Sequence, residues 1–254
     1  MTNKSGVKLG LLLPLLFLLL SSPGYAMHSI VTLTTGGSST FSNQTSQSLA
    51  FDDNFFVYHP NHSSSALNLI VGGFIGEEYT FNSLYTWQFG VAFYQSSNSS
   101  IRGEETQAPA DNLQAINYWN YQYKLSSRKL LFENKIFYTL RKRYHPYLLV
   151  GLGESLNNTS GFQVTPQNSG EVATAIFNNH LNKSFTYTLG FGLDIDVLKK
   201  MRIGLGYRFA GLGKYNLGTG TLDTGLGGEV FLIPALKPTN VFNQELLIQL
   251  TYVI

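Results

Sequence analysis

Cysteine is absent from the 254 residues of this chain, so disulfides are excluded. Charged residues make up only 13% of the chain, about half of the ~25% that is usual for a soluble domain. No helical period of three to four apolar residues is sustained after residue 26, and no apolar run reaches the ~20 residues that a membrane-spanning helix needs. Aromatic residues and glycine are plentiful instead. This composition is unusual for a water-soluble protein.

The first 26 residues have the organisation of a signal peptide. MTNKSGVK carries two lysines, LGLLLPLLFLLL is an apolar core, and SSPGYA ends in small residues, which predicts cleavage between Ala26 and Met27. An uncleaved anchor is the alternative, and a lipoprotein anchor is excluded because no cysteine follows. Cleavage removes two of the 17 basic residues and none of the 15 acidic ones, so the mature chain is neutral. Nothing indicates a nucleic-acid partner, which would require a basic patch or stripe.

Apolar residues alternate with small or polar ones in several segments, and this period of two predicts β-strands. The clearest example is SFTYTLGFGLDIDVLKKMRIGLGYRF, which covers residues 184–209. Eight such segments are predicted: Ser29–Thr35, Ala66–Gly76, Leu84–Gln95, Ser126–Leu140, Pro146–Ser155, Phe185–Val197, Met201–Ala210 and Gln244–Ile254.

The connections between these segments alternate strictly between short and long. The long ones, rich in Ser, Asn, Thr and Gly, cover residues 36–65, 96–125, 156–184 and 211–243. Even strand numbers, short periplasmic turns and long extracellular loops are typical of bacterial membrane barrels. Residues 116–124 (INYWNYQYK) would make a ninth strand, but we interpret them as an extracellular extension of the fourth. The prediction is an all-β, eight-stranded antiparallel up-and-down transmembrane β-barrel over residues 27–254.

The volume of the side chains decides which face meets lipid. An eight-stranded barrel has an interior just wide enough for side chains to fill, so it cannot hold the large apolar set. The predicted lipid-facing residues are Phe185, Tyr187, Leu189, Phe191, Leu193, Ile203, Leu205, Tyr207, Phe209, Leu250 and Tyr252. The predicted charge network of the lumen is Glu133, Lys135, Asp194, Asp196, Arg202, Arg208 and Glu245. In the hairpin around residues 198–200, Asp196 is expected to face Arg202 and Val197 to face Met201. Two separately solvated charges are the alternative to an Asp196–Arg202 ion pair.

Several short motifs occur in an order that resembles a known family. They are PYLLVGLG at residues 146–153 after a basic turn, YTLGFG at 187–192 and IGLGYRF at 203–209. With the signal peptide, they resemble the small outer-membrane β-barrel proteins of Gram-negative bacteria, of the opacity-protein and surface-antigen type. The resemblance implies a place in the outer membrane among lipid and lipopolysaccharide, and recognition by the insertion machinery. The family usually ends in an aromatic residue, whereas this chain ends in Ile254, so recognition is expected to rest on Tyr252.

No catalytic, cofactor or metal residue is assigned from the sequence. The Gly-x-Gly pairs lack the following helix of a dinucleotide site, so they indicate small residues in a narrow lumen. His59 and His62 near Asp52 and Asp53 give only a faint indication of metal, because a metal site needs more clustered ligands. His28 and His145 are predicted at the periplasmic end, and His180 in a loop.

The expected function is non-enzymatic, structural or adhesin-like, with a host or surface ligand bound through the loops. A lipid-modifying enzyme and a small channel are the alternatives. Within the predicted strands no histidine stands beside a serine, and His62-Ser63 comes nearest. Sequons such as Asn43-Gln-Thr45, Asn61-His-Ser63 and Asn182-Lys-Ser184 are interpreted as polar loops. The aromatic run Tyr118, Trp119, Tyr121 and Tyr123 is interpreted as an outer aromatic girdle, with a contact surface as the alternative.

Overall fold

Eight long strands form a closed antiparallel ring. The computed structural model describes residues 27–42, 46–51, 54–60, 67–109, 117–166, 174–223 and 230–254, so the predicted signal peptide lies outside the described residues. The ring strands are β1 Met27–Ser42, β4 Leu67–Thr80, β5 Tyr85–Ser96, β7 Asn117–Tyr138, β8 Tyr144–Pro166, β10 His180–Leu198, β11 Met201–Tyr215 and β14 Thr239–Val253. Each pairs with its neighbours in chain order, and β1 pairs with β14 to close the ring. Within the described ranges no helix is long and apolar enough to cross a membrane. The predicted eight-stranded up-and-down barrel is confirmed.

In the described parts of the connections that the sequence predicted as long loops, six shorter strands are found. They are β2 Gln47–Phe51, β3 Asn54–Pro60, β6 Ser99–Pro109, β9 Thr174–Phe177, β12 Gly220–Asp223 and β13 Val230–Ile233. Strands β2, β3 and β6 continue the wall from the first half of β7, and β13, β12 and β9 form a separate three-stranded sheet. We call these six strands, with residues 117–125 of β7 and 156–166 of β8, the extension.

The ring strands extend further toward the long connections than the sequence predicted. Strand β1 reaches Ser42 instead of Thr35, and β8 reaches Pro166 instead of Ser155. Strand β7 begins at Asn117 and is unbroken, so the segment INYWNYQYK is continuous with the fourth predicted strand, as interpreted from the sequence. The sequence estimate stopped where Ser, Asn and Thr became frequent. Those residues form the solvated face of a sheet that continues above the apolar band, since a sheet needs one apolar face only.

The three short connections lie at one end of the barrel, beside Met27 and Ile254. The hairpin between β10 and β11 pairs Asp196 with Arg202 as predicted, but Leu198, and not Val197, pairs with Met201. The register shifts between Asp196 and Leu198, which places an extra residue in β10. The prediction for Val197 was wrong because the turn has two residues, Lys199 and Lys200, and a bulge absorbs the third.

Two interiors are stacked along the barrel. The lower one holds the polar lumen together with an apolar cluster that includes Ile30, Phe74 and Leu247. The upper one, inside the extension, is an aromatic-rich core that includes Tyr121, Tyr123, Phe162 and Phe177. A band of Ser, Thr and Asn side chains lies near their junction, where Ser127 Oγ donates to Asn157 Oδ1 over 2.7 Å.

Candidate functional site

Arg208 is the centre of a buried charge network in the lumen. Its Nε donates to Glu245 Oε2 over 2.6 Å, and its Nη1 donates to Glu133 Oε1 over 3.0 Å. Lys129 donates to the other oxygen of Glu245, and Tyr94 Oη donates to Glu133 Oε2 over 3.0 Å. The Arg208 guanidinium also lies 3.8 Å from the centre of the Tyr94 ring. Four strands converge here, and the paired charges offset one another's desolvation.

Lys129 belongs to this network although the sequence analysis did not include it. It is buried at 1% exposure, in the same alternating set of β7 as the predicted Glu133 and Lys135. The signal was therefore present in the sequence. It was missed because Lys129 lies near the end of the predicted strand.

A second layer of the lumen lies below the first. Lys135 Nζ donates to Gln249 Oε1 over 2.8 Å, and Tyr147 Oη donates to the same oxygen over 3.3 Å. The Tyr147 ring fits because β10 has glycine at position 192, where a Cβ would come within 2.5 Å of the ring. Asp194 lies buried at this level against Gly204. Small residues on one strand thus make room for a large aromatic ring on its neighbour.

A third layer closes the lumen at the end with the short turns. Arg202 binds Glu78 through both terminal nitrogens and donates from Nε to Asp196 Oδ1 over 3.0 Å. His145 Nε2 lies 2.9 Å from Asp196 Oδ2, and Gln88 donates to Glu78 over 2.7 Å. The Asp196–Arg202 contact is thus a direct ion pair, with the Asp196 side chain about one-third exposed. Glu78, which accepts two hydrogen bonds from Arg202, was not singled out in the sequence analysis.

The residues predicted for the lumen and for the lipid face lie on opposite sides of the wall. Glu133, Lys135, Asp194, Arg208 and Glu245 are buried inside, and Arg202 and Asp196 lie at the mouth. On the outside, the exposed residues are Phe185, Tyr187, Leu189, Phe191, Leu193, Ile203, Leu205, Leu250 and Tyr252. Tyr207 and Phe209 also lie outside, partly covered by the rings of Phe191 and Phe242.

The interpretation of residues 118–123 as an outer aromatic girdle was wrong for three of its four members. Trp119, Tyr121 and Tyr123 are buried, the two tyrosines in the core of the extension, and only Tyr118 is exposed. They belong to the same inward-facing alternating set of β7 as Lys129 and Glu133, and the extension gives this upper part of the barrel a core of its own. An outer belt is formed instead by four stacked or tilted rings on β1, β14, β11 and β10, Phe41, Phe242, Phe209 and Tyr187.

A second belt of aromatic rings lies near the short turns. It includes the contacts Tyr79–Phe81, Trp87–Phe89 and Tyr85–Tyr138. Along β14, Phe242 of the outer belt lies ten residues from the exposed Tyr252 near the short turns, or ~33 Å of strand, which a tilt of ~40° reduces to ~25 Å. That is the height of the apolar band of a membrane barrel.

A buried carboxyl lies in the extension, outside the membrane-spanning segments. Glu105 on β6 stands between Tyr58 on β3 and Trp119 on β7 in one cross-strand row. It is fully buried and accepts a hydrogen bond from Gln107 Nε2 over 2.9 Å. Among the described residues no Lys or Arg forms an ion pair with it. Burial therefore raises the pKa of Glu105 from its ordinary value to about 7.

The extension also brings a histidine beside a serine. His59 Nδ1 lies 3.0 Å from Ser46 Oγ, and His59 Nε2 lies 3.4 Å from Thr106 Oγ1. The sequence could not show this contact, because pairing of β2 with β3 brings together residues 13 positions apart. A serine, a base and a third group that orients the base is the arrangement of an activated nucleophile. Here, however, all three groups lie on an exposed outer face, and the third is a hydroxyl.

The remaining predicted histidines do not gather into a site in the described part of the chain. His28 is exposed, His145 binds Asp196, and the His180 carbonyl accepts a hydrogen bond from Thr159 Oγ1 over 3.1 Å. His62, Ser63, Asp52 and Asp53 lie outside the described residues, as do the sequons at Asn43 and Asn61. In the described ranges no group of three or more His, Asp or Glu side chains could hold a metal ion.

The ring, the paired charges inside it and the apolar band outside it define a class. The chain is an eight-stranded transmembrane β-barrel with short turns at one end and long connections at the other. This is the architecture of the outer-membrane barrels of Gram-negative bacteria, which the sequence motifs resemble. The protein resides in that membrane.

No protein-family model matches the sequence, and no curated protein matches it. Among solved structures, Neisserial surface protein A is 15% identical, over 88% of this chain and 96% of that chain, with a TM-score of 0.42. Outer membrane protease OmpT from Escherichia coli is 10% identical over 92% and 99%, with a TM-score of 0.48. Outer membrane protein OprG from Pseudomonas aeruginosa is 9% identical over 89% and 96%, with a TM-score of 0.43. The names of these three proteins indicate different roles. The function of this chain is therefore inferred from its own geometry.

Proposed function

We propose that the chain is a non-enzymatic outer-membrane protein that displays the extension at the cell surface, in a structural or adhesive role. The observation that carries this proposal is that the long connections are folded. They build strands around a buried core instead of remaining open loops. A folded surface keeps its shape before a partner arrives, so less entropy is lost on binding.

The orientation follows from the lengths of the connections. Barrels of this class keep their short turns in the periplasm and their long connections outside. The apolar band then lies among lipid, with lipopolysaccharide at the level of the outer aromatic belt. The insertion machinery is expected to recognise β14, whose outward residues alternate up to Tyr252.

An apolar patch on the extension is the proposed contact surface for a host or surface ligand. The outer face of the three-stranded sheet presents Leu232 at 80% exposure, Val230 at 60% and Ile176 at 53%. Leu232 and Ile176 both pair with Thr221, so they lie in one row across the sheet. Contiguous apolar side chains on a water-facing surface are typical of protein–protein contact sites.

The experiment measures binding of the refolded protein to epithelial cells and to immobilised matrix proteins. The variants Leu232→Asp and Ile176→Asp should each reduce binding about tenfold or more, since a charge would be desolvated in the contact. Ser48→Asp adds the same charge elsewhere on the extension and should bind like the native protein. Protease added to intact cells should cut in the long connections and leave residues 141–145 uncut.

A hydrolase is the second candidate, favoured by the contact between Ser46 and His59. An acyl-transfer enzyme would use Ser46 Oγ as the nucleophile and His59 as the base. Lipopolysaccharide and phospholipid are the substrates to test, with Ser46→Ala as the control. Release of fatty acid by the native protein but not by Ser46→Ala would replace the non-enzymatic proposal.

A further inference from the structure

The short-turn end of the barrel carries a cluster of basic side chains that the proposed function does not use. It consists of Arg141, Lys142 and Arg143 in the β7–β8 turn and Lys199 and Lys200 in the β10–β11 turn, all exposed. We call these five residues the basic rim. They are one-third of the 15 basic residues left after residue 26 in a neutral mature chain. Charge of one sign is thus concentrated on one part of one end.

The two turns are held together as a single surface. Strand β8 pairs with β10, and Asp196 N–H donates to the Arg143 carbonyl over 3.0 Å. Arg143 Nε returns a hydrogen bond to the Asp196 carbonyl over 3.1 Å. The Asp196 carboxylate is bound to Arg202 and His145, so it does not neutralise the rim.

The backbone of the β7–β8 turn is unfavourable for the residues that occupy it. Arg141 and Lys142 have φ values of 51° and 58°, in the left-handed region that favours glycine and asparagine. They are the only residues other than glycine with positive φ in the described part of the chain. Strained positions of this kind cluster at functional sites. Here the strain presents two cationic side chains at the edge of the barrel.

An apolar groove lies on the outer wall directly beside the basic rim. Its volume is about 540 Å³, and its lining includes Tyr85, Ile136, Tyr138, Pro146, Leu148 and Phe191. Ile136, Leu148 and Phe191 are each more than half exposed. Pro146 follows Arg143 by three residues and Tyr138 precedes Arg141 by three, so the chain holds each pair within ~10 Å. A cationic rim and an apolar groove are therefore about one lipid headgroup apart.

We propose that the groove and the basic rim together bind one anionic phospholipid, with its phosphate at the rim and an acyl chain in the groove. The charge of the rim selects an anionic head, and the apolar lining selects a chain. With the short turns in the periplasm, the adjacent leaflet is the phospholipid leaflet, which supplies such lipids. Leu140 and Leu198, exposed beside the basic residues, place the rim at the boundary between chains and headgroups.

The test counts lipids retained by the refolded native protein. The protein is prepared in micelles that contain equal amounts of phosphatidylglycerol and phosphatidylcholine, and native mass spectrometry identifies the bound lipid. Phosphatidylglycerol should be retained in clear preference. Each lysine near an anionic headgroup is worth about 5-fold in affinity, so Lys199→Ser with Lys200→Ser should weaken retention by about 30-fold. Glycerol phosphate, which has the head but no chain, should not bind.

Matched variants separate this site from general attraction between charges. Arg102→Ser with Lys124→Ser removes two exposed positive charges from the opposite end and should leave retention unchanged. Leu148→Trp fills the groove, keeps every charge and should also lower retention of phosphatidylglycerol. Thermal unfolding of each variant shows that the barrel is intact. Equal retention of the two lipids by the native protein would overturn the proposal, as would equal losses in both charge variants or no loss with Leu148→Trp.

Discussion

Arg208 and Glu245 stand directly opposite each other on β11 and β14, joined by a hydrogen bond of 2.6 Å from Nε to Oε2. Arg208→Ala would leave Glu245 with Lys129 alone and Glu133 without a basic partner, in a buried site. Removal of one partner of a buried ion pair costs about 3–5 kcal/mol. Urea unfolding of the barrel in vesicles should show a loss of that size. Asp196→Ala, at the water-exposed mouth, should cost less than half as much.

A quadruple variant gives a second check on the same network. Lys129→Met, Glu133→Gln, Arg208→Met and Glu245→Gln together remove the central charges while keeping the volume, and they leave no member of these ion pairs buried without its partner. Such a replacement is often close to neutral. It should therefore recover most of the stability that Arg208→Ala loses. A quadruple variant less stable than Arg208→Ala would show that the network does not act through charge pairing.

Leu189 lies on the lipid face, with 51% of its surface exposed on the outer wall. Leu189→Arg should destabilise the barrel by about 2–4 kcal/mol if this position is near the bilayer midplane, because the charge must enter the hydrocarbon. Ser48→Arg, on the solvated wall of the extension, is the control and should change stability little. Equal losses in the two variants, measured as refolding yield into vesicles, would contradict the inside–outside assignment.

The barrel could be predicted from the sequence because its two determinants are local. A period of two, clearest in residues 184–209, fixes which face of each strand is apolar. The alternation of short and long connections along the chain fixes the topology. The extension could not be predicted, since its core forms between segments far apart in the chain. Tyr121 and Tyr123 look like girdle residues until Phe162 and Phe177 are known to pack with them in one core. Glu105 lies in a polar stretch of sequence, which gives no indication that its side chain is buried. Ser46 contacts His59 only because β2 pairs with β3.

Glu105 should make the stability of the extension depend on pH. Its pKa is about 7 in the folded state, above the ordinary value of 4.5, so the folded extension holds the proton more tightly than the unfolded one. Stability is therefore greatest at low pH, falls as pH rises from about 4.5 to about 7, and is constant above that. The total loss is on the order of 3 kcal/mol.

Trp119 provides a reporter for this titration because it pairs with Glu105 in the same row. In a Trp87→Phe background, Trp119 is the only tryptophan, and its fluorescence during urea unfolding follows the extension. Glu105→Gln should remove the dependence on pH between about 4.5 and 7 while the barrel is unaffected. A native protein with the same extension stability at pH 5 and pH 8 would show that Glu105 ionises as an ordinary surface carboxyl does.

Planar-bilayer recording tests the central claim most directly, namely that this barrel is a filled support for a surface structure and not a conduit. Three layers of paired side chains, centred on Arg208, Lys135 and Arg202, occupy the lumen below the core of the extension. The native protein should therefore insert without any stable single-channel current. Arg208→Ala, which opens the central layer, is the variant in which a narrow water path and brief small currents are expected. A large, steady current from the native protein would contradict the account and make a channel the leading function.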